Sequence, residues 1–247
     1  FYGSSLENII SNKGTNFHHT RLTSTRINRK QIENILSLKE YETYLGRVAN
    51  DLSEFDLSEP GLMDGISFNG LNLSSSILED CLDLTKIQYD KNTNFNGTRM
   101  PEARISRNEV EKILNQDGYL GRKKGDLSEF DLSKLDLSWL DFSGVNLLRT
   151  NLSYSNLSNI KTDIEPIFVN YSCQLGVKIS RKEIEKILNL KNDENYLGRK
   201  KGDLRGFDLS ELDLSELDFS GVNLMLANLS KANLSKVVLN KAKLVQT

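Results

Sequence analysis

Side chains able to do chemistry are abundant in this 247-residue chain, but their spacing does not assemble an active site. Asp and Ser recur together as outward members of a short repeat, so the proximity of one to the other says nothing about catalysis. The only histidines, His18 and His19, are adjacent, and neighbours on an extended chain point to opposite sides. Cys81 and Cys173 lie far apart with no His nearby, which favours small buried hydrophobes over a disulfide framework. We predict a protein that is not an enzyme, with no catalytic residue, cofactor or metal.

The charge balance narrows the choice of partners. The chain has 32 Lys and Arg against 34 Asp and Glu, a net charge of −2, which provides no global basic field for nucleic acid or an anionic membrane. No segment approaches the ~20 consecutive apolar residues of a bilayer-spanning helix. We therefore expect no nucleic acid and no membrane as partner. The sequence leaves open whether the protein acts in the cytoplasm of a bacterium or is delivered into a host cell.

An apolar residue recurs at every fifth position, usually preceded by Asp or Asn and followed by Ser. A helix repeats its apolar face every 3.6 residues and a strand every two, so a period of five requires a chain that turns a corner in each repeat. Such a chain coils into a solenoid whose axis is filled by these residues. The predicted core comprises Leu127, Leu132, Leu137, Phe142, Leu147, Leu204, Leu209, Leu214, Phe219 and Leu224.

A longer repeat carries three short amphipathic helices. The segments NRKQIENILSL, SRNEVEKILNQ and SRKEIEKILNL begin at Asn28, Ser106 and Ser180, each with the spacing of a capping box. They predict helices at about 28–39, 106–116 and 180–191. The tetrapeptide YLGR follows each helix, and the period of five then resumes.

These signals predict three helix-plus-pentapeptide repeats in one continuous solenoid. The first repeat covers 14–91, the middle repeat 92–167 and the last repeat 168–247, after a tail of a preceding repeat at 1–13. The chain is expected to be a fragment of a longer protein. Whether the helices flank one continuous rod or separate three short rods is left open.

The strings DLSEL, NLSKA and NLSKV resemble the pentapeptide-repeat family, whose motif is A(D/N)Lxx. The resemblance implies a mainly β protein, a right-handed quadrilateral β-helix with four pentapeptides per turn, here with short inserted α-helices. It also implies that the central Leu and the residue two before it point inward. This chain departs from the family by placing bulky residues at the second inward position, where small residues are usual: Phe130, Leu135, Leu140, Phe207, Leu212 and Leu217. We expect these bulky side chains to pack toward the inserted helices.

The GRKKG segments are the candidate partner-binding sites. They place basic residues at equivalent points of the middle and last repeats, with a single Arg in the first repeat: Arg47, Arg122, Lys123, Lys124, Arg199, Lys200 and Lys201. One interpretation is a surface that docks an acidic protein partner. The other is a solvated loop whose arginines pair with the outward Asp residues. In the last repeat an acidic stretch, 203–221, precedes a lysine-rich stretch, 222–247, and this charge separation leaves self-association open.

We interpret the chain as a structural or protein-protein interaction module of a larger bacterial pentapeptide-repeat protein, with a role as a host-directed effector as one form of it. The first alternative is a DNA mimic that regulates a topoisomerase, against which the near-neutral charge argues. The second alternative is an accessory substrate-binding domain of a larger effector enzyme. The identity of the partner does not follow from the residues.

Overall fold

The computed structural model describes residues 3–7, 9, 11, 15, 17, 22–79, 82–162, 175–192, 194–245 and 247. His18, His19, Cys81 and Cys173 lie outside the described residues. The chain forms two compact units. The N-terminal unit comprises Phe1–Arg104 and Asp117–Lys123, and the C-terminal unit comprises Ile105–Gln116 and Lys124–Thr247.

Parallel pairing runs through the N-terminal unit past an inserted helix. Its elements are β1 (Thr25–Arg26), α1 (Arg29–Leu36), β2 (Phe55–Leu57), β3 (Ile77–Leu78) and a 3-10 helix at Leu84–Lys86, and the segment 117–123 adds a second at Tyr119–Gly121. β1 pairs with β2 although α1 lies between them in sequence, and β2 pairs with β3. The helix is therefore an insertion into a coil, not a break in the ladder.

The C-terminal unit repeats this arrangement around its third helix. It contains α2 (Arg107–Asn115), β4 (Val177–Lys178), α3 (Arg181–Asn189) and β5 (Phe207–Asp208). A column of parallel pairs runs from Asp136 through Asn156, Lys178 and Asp208 to Asn228. Asp136 and Asn156 are 20 residues apart, which is four pentapeptides per coil, and α3 lengthens the coil that runs from Lys178 to Asp208. Together with the pentapeptide pattern, this parallel stacking defines a right-handed β-helix type of fold.

Most pentapeptides of the C-terminal unit end in a tight turn with one residue in the left-handed backbone region. At Leu147, for example, the carbonyl accepts from the Thr150 N–H at 3.1 Å while Arg149 has φ of 59°. A positive φ at the third residue defines a type II turn, which normally selects Gly. Here large side chains also occupy this position, which we call the corner. The corners of the C-terminal unit with a side chain include Glu129, Lys134, Trp139, Arg149, Tyr154, Asn159, Glu211, Glu216, Leu226, Lys231, Lys236 and Lys241.

The central residues fill the axis of each coil. All ten residues of the predicted core in the C-terminal unit are at most 3% exposed. The central leucines of the last coil are less covered, with Leu239 at 38% and Leu244 at 47% exposure, because no further coil packs over them among the described residues. Of the bulky residues at the second inward position, Phe130 and Phe207 are buried, whereas the four leucines are only half-buried: Leu135, Leu140, Leu212 and Leu217.

The helices are shorter than the sequence predicts. They begin one residue after their capping residues and end at Leu36, Asn115 and Asn189, and all three capping boxes are present. The chain leaves α1 and α3 early because Leu38 and Leu190, which the pattern would place on longer helices, turn into the core instead, at 7% and 6% exposure.

Candidate interaction surface

The outward Asp and Asn side chains form hydrogen bonds within their own coil and to the next coil. The Asp126 carboxylate accepts from the Ser128 N–H at 3.2 Å, and the same oxygen accepts from the Asn146 side-chain amide of the next coil at 2.9 Å. The same pair of bonds recurs at Asp131, Asp136, Asp208 and Asp213. An Asp only accepts and an Asn can donate, so Asp in one coil below Asn in the next makes a ladder without repulsion between carboxylates. The frequency of Asp and Ser is thus explained by coil stacking.

The part of the chain that the structure describes holds no group of three or more His, Cys, Asp or Glu residues arranged for a metal ion. Among the same residues, no helix has the length and apolarity needed to cross a bilayer.

The YLGR segments form tight turns that fix the loops after the helices. Tyr44 and Arg47 exchange two backbone hydrogen bonds of 3.0 Å, and Tyr196 and Arg199 exchange two of 2.9 Å. The two residues between them have positive φ, at 49° and 72° for Leu45 and Gly46, which is the geometry of a type I′ turn. In the middle copy Gly121 is required, because a Cβ there would lie 2.0 Å from the Phe95 carbonyl oxygen.

The arginines of two of these loops are structural. Arg47 lies 3.7 Å from Asp51 with its guanidinium 5.2 Å from the centre of the Phe55 ring. Arg199 lies 3.6 Å from Asp203 with its guanidinium 5.0 Å from the centre of the Phe207 ring. Their side chains are only 15% and 14% exposed. The cation covers the bulky Phe at the second inward position, a role that we had expected the helix to fill.

We call each set of Arg, Asp and Phe contacts a clamp, and in the clamp of the last repeat the carboxylate of Asp203 stays charged. Burial by itself would raise the pKa of Asp203, but a hydrogen bond from Arg205 and the charge of Arg199 bring it below its usual value. Asp203 therefore remains a carboxylate at neutral pH. The same order of Arg, Asp and Phe at intervals of four residues recurs in all three repeats, and this spacing is the signal that sequence analysis could have used.

The lysines of the GRKKG segments, in contrast, face solvent. Lys123, Lys124, Lys200 and Lys201 are all exposed, whereas Arg122 is half-buried. The structure thus shows clamping contacts for Arg47 and Arg199, half-buries Arg122, and exposes the four lysines. We call Lys200 and Lys201 the lysine pair of the last repeat.

Two further contacts position this loop and were missed from sequence. The Lys186 ammonium on α3 donates to the Tyr196 hydroxyl at 3.2 Å and lies 4.7 Å from the centre of its ring. Burial, followed by the charge of Glu183, raises the pKa of Tyr196, so it stays a neutral phenol. The loop that carries the lysine pair is therefore tied to the helix before it.

The first residue of each helix anchors that helix to the coil that follows. Arg107 donates to the carbonyls of Asp136 at 2.6 Å and Ser138 at 3.1 Å, and its Nε pairs with Glu111 at 2.8 Å. Arg181 and Arg29 make corresponding bonds to backbone carbonyls beyond their own helices. An Arg directly after each capping residue, with Glu four residues later, was the available signal.

Trp139 and Tyr154 are corner residues with large exposed rings, at 74% and 61% exposure. Neither residue is charged, so neither belongs to the basic segments from which the candidate sites were predicted. The signal was present, because the only tryptophan of the chain stands at an outward position of the repeat.

Comparison with known proteins identifies the same repeat in the sequence. The family described as Pentapeptide repeats matches residues 126–161 and 201–230, in eight copies. These parts of the chain are pentapeptide repeats, and the resemblance drawn from the motif is confirmed. A solved structure, HetL from the cyanobacterium Nostoc sp., a pentapeptide repeat protein involved in heterocyst differentiation regulation, shares 20% identity over 79% of this chain and 67% of its own, with a TM-score of 0.19. No curated protein sequence matches the chain.

Proposed function

We propose that the protein is a non-catalytic structural and protein-protein interaction module, formed by a quadrilateral β-helix with α-helices inserted into its coils. One observation carries this proposal. The polar side chains of the repeat are bound into ladders between coils, while lysines and corner side chains project from that rigid frame. A rigid surface binds with a small entropic penalty, which suits a recognition module. The three repeats 14–91, 92–167 and 168–247, after the tail at 1–13, remain our proposal for its organisation.

The lysine pair of the last repeat is the part of this surface that we assign to a protein partner. The loop is held by the contact of Arg199 with the Phe207 ring and by the bond from Lys186 to Tyr196. Lys200 and Lys201 are therefore exposed on a backbone that is fixed in place. Two adjacent ammonium groups complement carboxylates, and the partner surface is therefore acidic. Lys123 and Lys124 stand at the matching positions of the middle repeat.

A DNA mimic of the kind that would regulate a topoisomerase is disfavoured by the same contacts. Such a protein presents continuous columns of negative charge, but here the ladder places a neutral Asn beside Asp126 and Asp208 and a lysine beside Asp141. The corner acids Glu211 and Glu216 pair with Lys231 and Lys236 at 3.4 and 2.8 Å. The columns are therefore neutralised coil by coil.

The test replaces the lysine pair by the residues that the first repeat already uses. Val48 and Ala49 follow Arg47 at the positions of Lys200 and Lys201, so Lys200→Val with Lys201→Ala is compatible with the turn. Immobilised chain is used to capture proteins from bacterial and host lysates, and captured proteins are then titrated individually in rising salt. We expect one acidic partner whose affinity falls at least tenfold in the variant and falls with salt.

The matched control is Lys241→Ala, which removes one exposed lysine from the last coil, where no ion pair holds it among the described residues. Binding to the acidic partner should be unchanged in this variant. Equal binding of the native chain and the Lys200→Val, Lys201→Ala variant would contradict the assignment of the lysine pair.

A further inference from the structure

Among the described residues, the Trp139 side chain makes no hydrogen bond, ion pair or ring contact that would explain its presence. It is the only tryptophan in the chain, it is 74% exposed, and its φ of 66° places it in the left-handed region. A non-glycine residue there costs about 1 kcal/mol relative to a relaxed backbone, and an exposed indole returns little of this by burial. The matching corner of the last repeat holds Glu216, which forms an ion pair instead.

Two exposed carboxylates flank this indole along the coil. Asp136 precedes it by three residues and Asp141 follows by two, with side chains 64% and 50% exposed. Asp136 accepts from the Ser138 N–H at 3.1 Å and the Asn156 amide at 3.0 Å, and Asp141 accepts from the Ser143 N–H at 2.9 Å. Each carboxylate is therefore fixed on its own face of the coil, with the indole at the corner between them.

Both carboxylates are ionised at neutral pH. Hydrogen bonds from Ser138 lead the effects that lower the pKa of Asp136, and the bond from Lys161 leads those that bring the pKa of Asp141 to about 2. Each carboxylate has a cationic neighbour at the exposed surface. The Arg107 contact to Asp136 is 3.8 Å, and the Lys161 ammonium lies 2.7 Å from the Asp141 carboxylate on a side chain that is 76% exposed. Surface pairs of this kind contribute about 0 to 1 kcal/mol, so an incoming cation can replace them.

We propose that Trp139, Asp136 and Asp141 form a docking site for an arginine-containing basic segment of a protein partner. A guanidinium stacks on an indole face and donates to carboxylates in its own plane, which matches a tryptophan between two aspartates. Tryptophan and arginine also dominate the energetics of protein interfaces. The site lies apart in sequence from the lysine pair and takes a partner of opposite charge, so it goes beyond the function proposed above.

Tyr154 provides a control within the same unit. It is an exposed corner aromatic as well, but the residues three before and two after it are Asn151 and Asn156. The two corners therefore place an aromatic side chain between two carboxylates or between two neutral amides. Only the first has charge complementary to a basic segment.

The test uses the unique tryptophan as its own reporter. A labelled ten-residue peptide of alternating Arg and Gly is titrated with the full chain, and both Trp139 emission and peptide anisotropy are followed at low and physiological salt. We expect the emission to change and the Arg peptide to bind at least threefold more tightly than a Lys and Gly peptide. An alternating Glu and Gly peptide and a neutral oligosaccharide should leave the emission unchanged.

Three variants decide whether binding occurs at this corner. Trp139→Gly should weaken the Arg peptide at least fivefold, whereas Tyr154→Gly should leave it unchanged. Asp136→Asn with Asp141→Asn should weaken it about tenfold. Folding is checked by the urea midpoint, since Gly already occupies the next corner at Gly144 and Asn already occupies the face position in the next coil.

Several results would overturn the proposal. Equal losses in Trp139→Gly and Tyr154→Gly would show general attraction of a cation to the surface. Binding of the oligosaccharide with the emission change would assign the indole to carbohydrate instead.

This proposal and the assignment of the lysine pair can fail separately. Loss of the acidic partner in the lysine-pair variant would not change the binding of the Arg peptide to the Trp139 corner.

Discussion

The coils that follow α2 and α3 share one interior and one set of faces but differ at their corners. Leu137 and Leu214 are both completely buried, and Asp136 and Asp213 each accept from the Asn of the next coil at 3.0 Å. At the corner two residues beyond each leucine, the first coil has Trp139 and the second has Glu216. Packing and the ladder thus constrain the axis and the faces, while the corners are free to carry recognition.

The largest change in the free energy of unfolding is expected from truncating the buried leucines that the two coils share. Leu137→Ala removes a buried side chain from a column of leucines and should lower the free energy of unfolding by about 2 to 5 kcal/mol. Leu214→Ala should give a similar loss, because its surroundings are equivalent. The measurement is urea unfolding followed by circular dichroism.

Leu239→Ala is the control for this comparison. Leu239 holds the same place in the pentapeptide but is 38% exposed, so its truncation should change the free energy of unfolding by about 1 kcal/mol or less. A loss at Leu239 equal to that at Leu137 would mean that position in the repeat, not burial, sets the energy.

The comparison also separates what the sequence makes predictable from what it does not. The period of five identifies the buried column, and the capping boxes locate the helix starts, because both depend on residues close in sequence. Helix ends were placed too late, since Leu38 and Leu190 fit a helical stripe but are drawn into the solenoid core.

The candidate site was only partly predictable for a related reason. The charge pattern grouped Arg199 with Lys200 and Lys201, but the aromatic ring that covers the guanidinium comes from eight residues further along. Whether a cation faces solvent or a ring depends on how the loop folds back, and charge patterning does not contain that information. The division between the clamping Arg47 and Arg199 and the exposed lysines therefore does not follow from charge alone, although the spacing of Arg, Asp and Phe carries a trace of it.

An intermediate effect is expected at the start of α3, where the repeats also differ. In α1 the third helical residue, Gln31, accepts from the Asn28 N–H and donates its amide to the Leu6 carbonyl at 2.8 Å. Glu183 holds this position in α3 and is completely buried, but its Oε1 makes no hydrogen bond. Glu183→Gln should therefore raise the free energy of unfolding at pH 7 by about 1 to 2 kcal/mol, because a neutral amide costs less to bury than a carboxylate and its oxygen can still accept from the Ser180 N–H.

The reciprocal change provides the control. Gln31→Glu should destabilise the chain, since it would place a carboxylate oxygen against the Leu6 carbonyl. A loss of stability in Glu183→Gln would show instead that α3 requires the charge of Glu183 at its N-terminus.

The smallest effect is expected from exchanging the corners themselves. Glu216→Trp with Lys236→Asn gives the last repeat the Trp and Asn corner of the middle repeat. The lost ion pair is 2.8 Å long, but its side chains are 66% and 76% exposed, so the free energy of unfolding should change by less than about 1 kcal/mol. The measurement is again the urea midpoint, with the native chain as reference.

The exchanged corner also tests whether three positions suffice for recognition. In the last repeat the residues three before and two after position 216 are Asp213 and Asp218, which match the flanks of Trp139. If an indole between two ladder aspartates defines the docking site, the variant should bind two Arg and Gly peptides per chain where the native protein binds one. A stoichiometry that stays at one with the fold intact would place part of the specificity outside the corner, with the α2 residues such as Arg107 that contact the first coil directly.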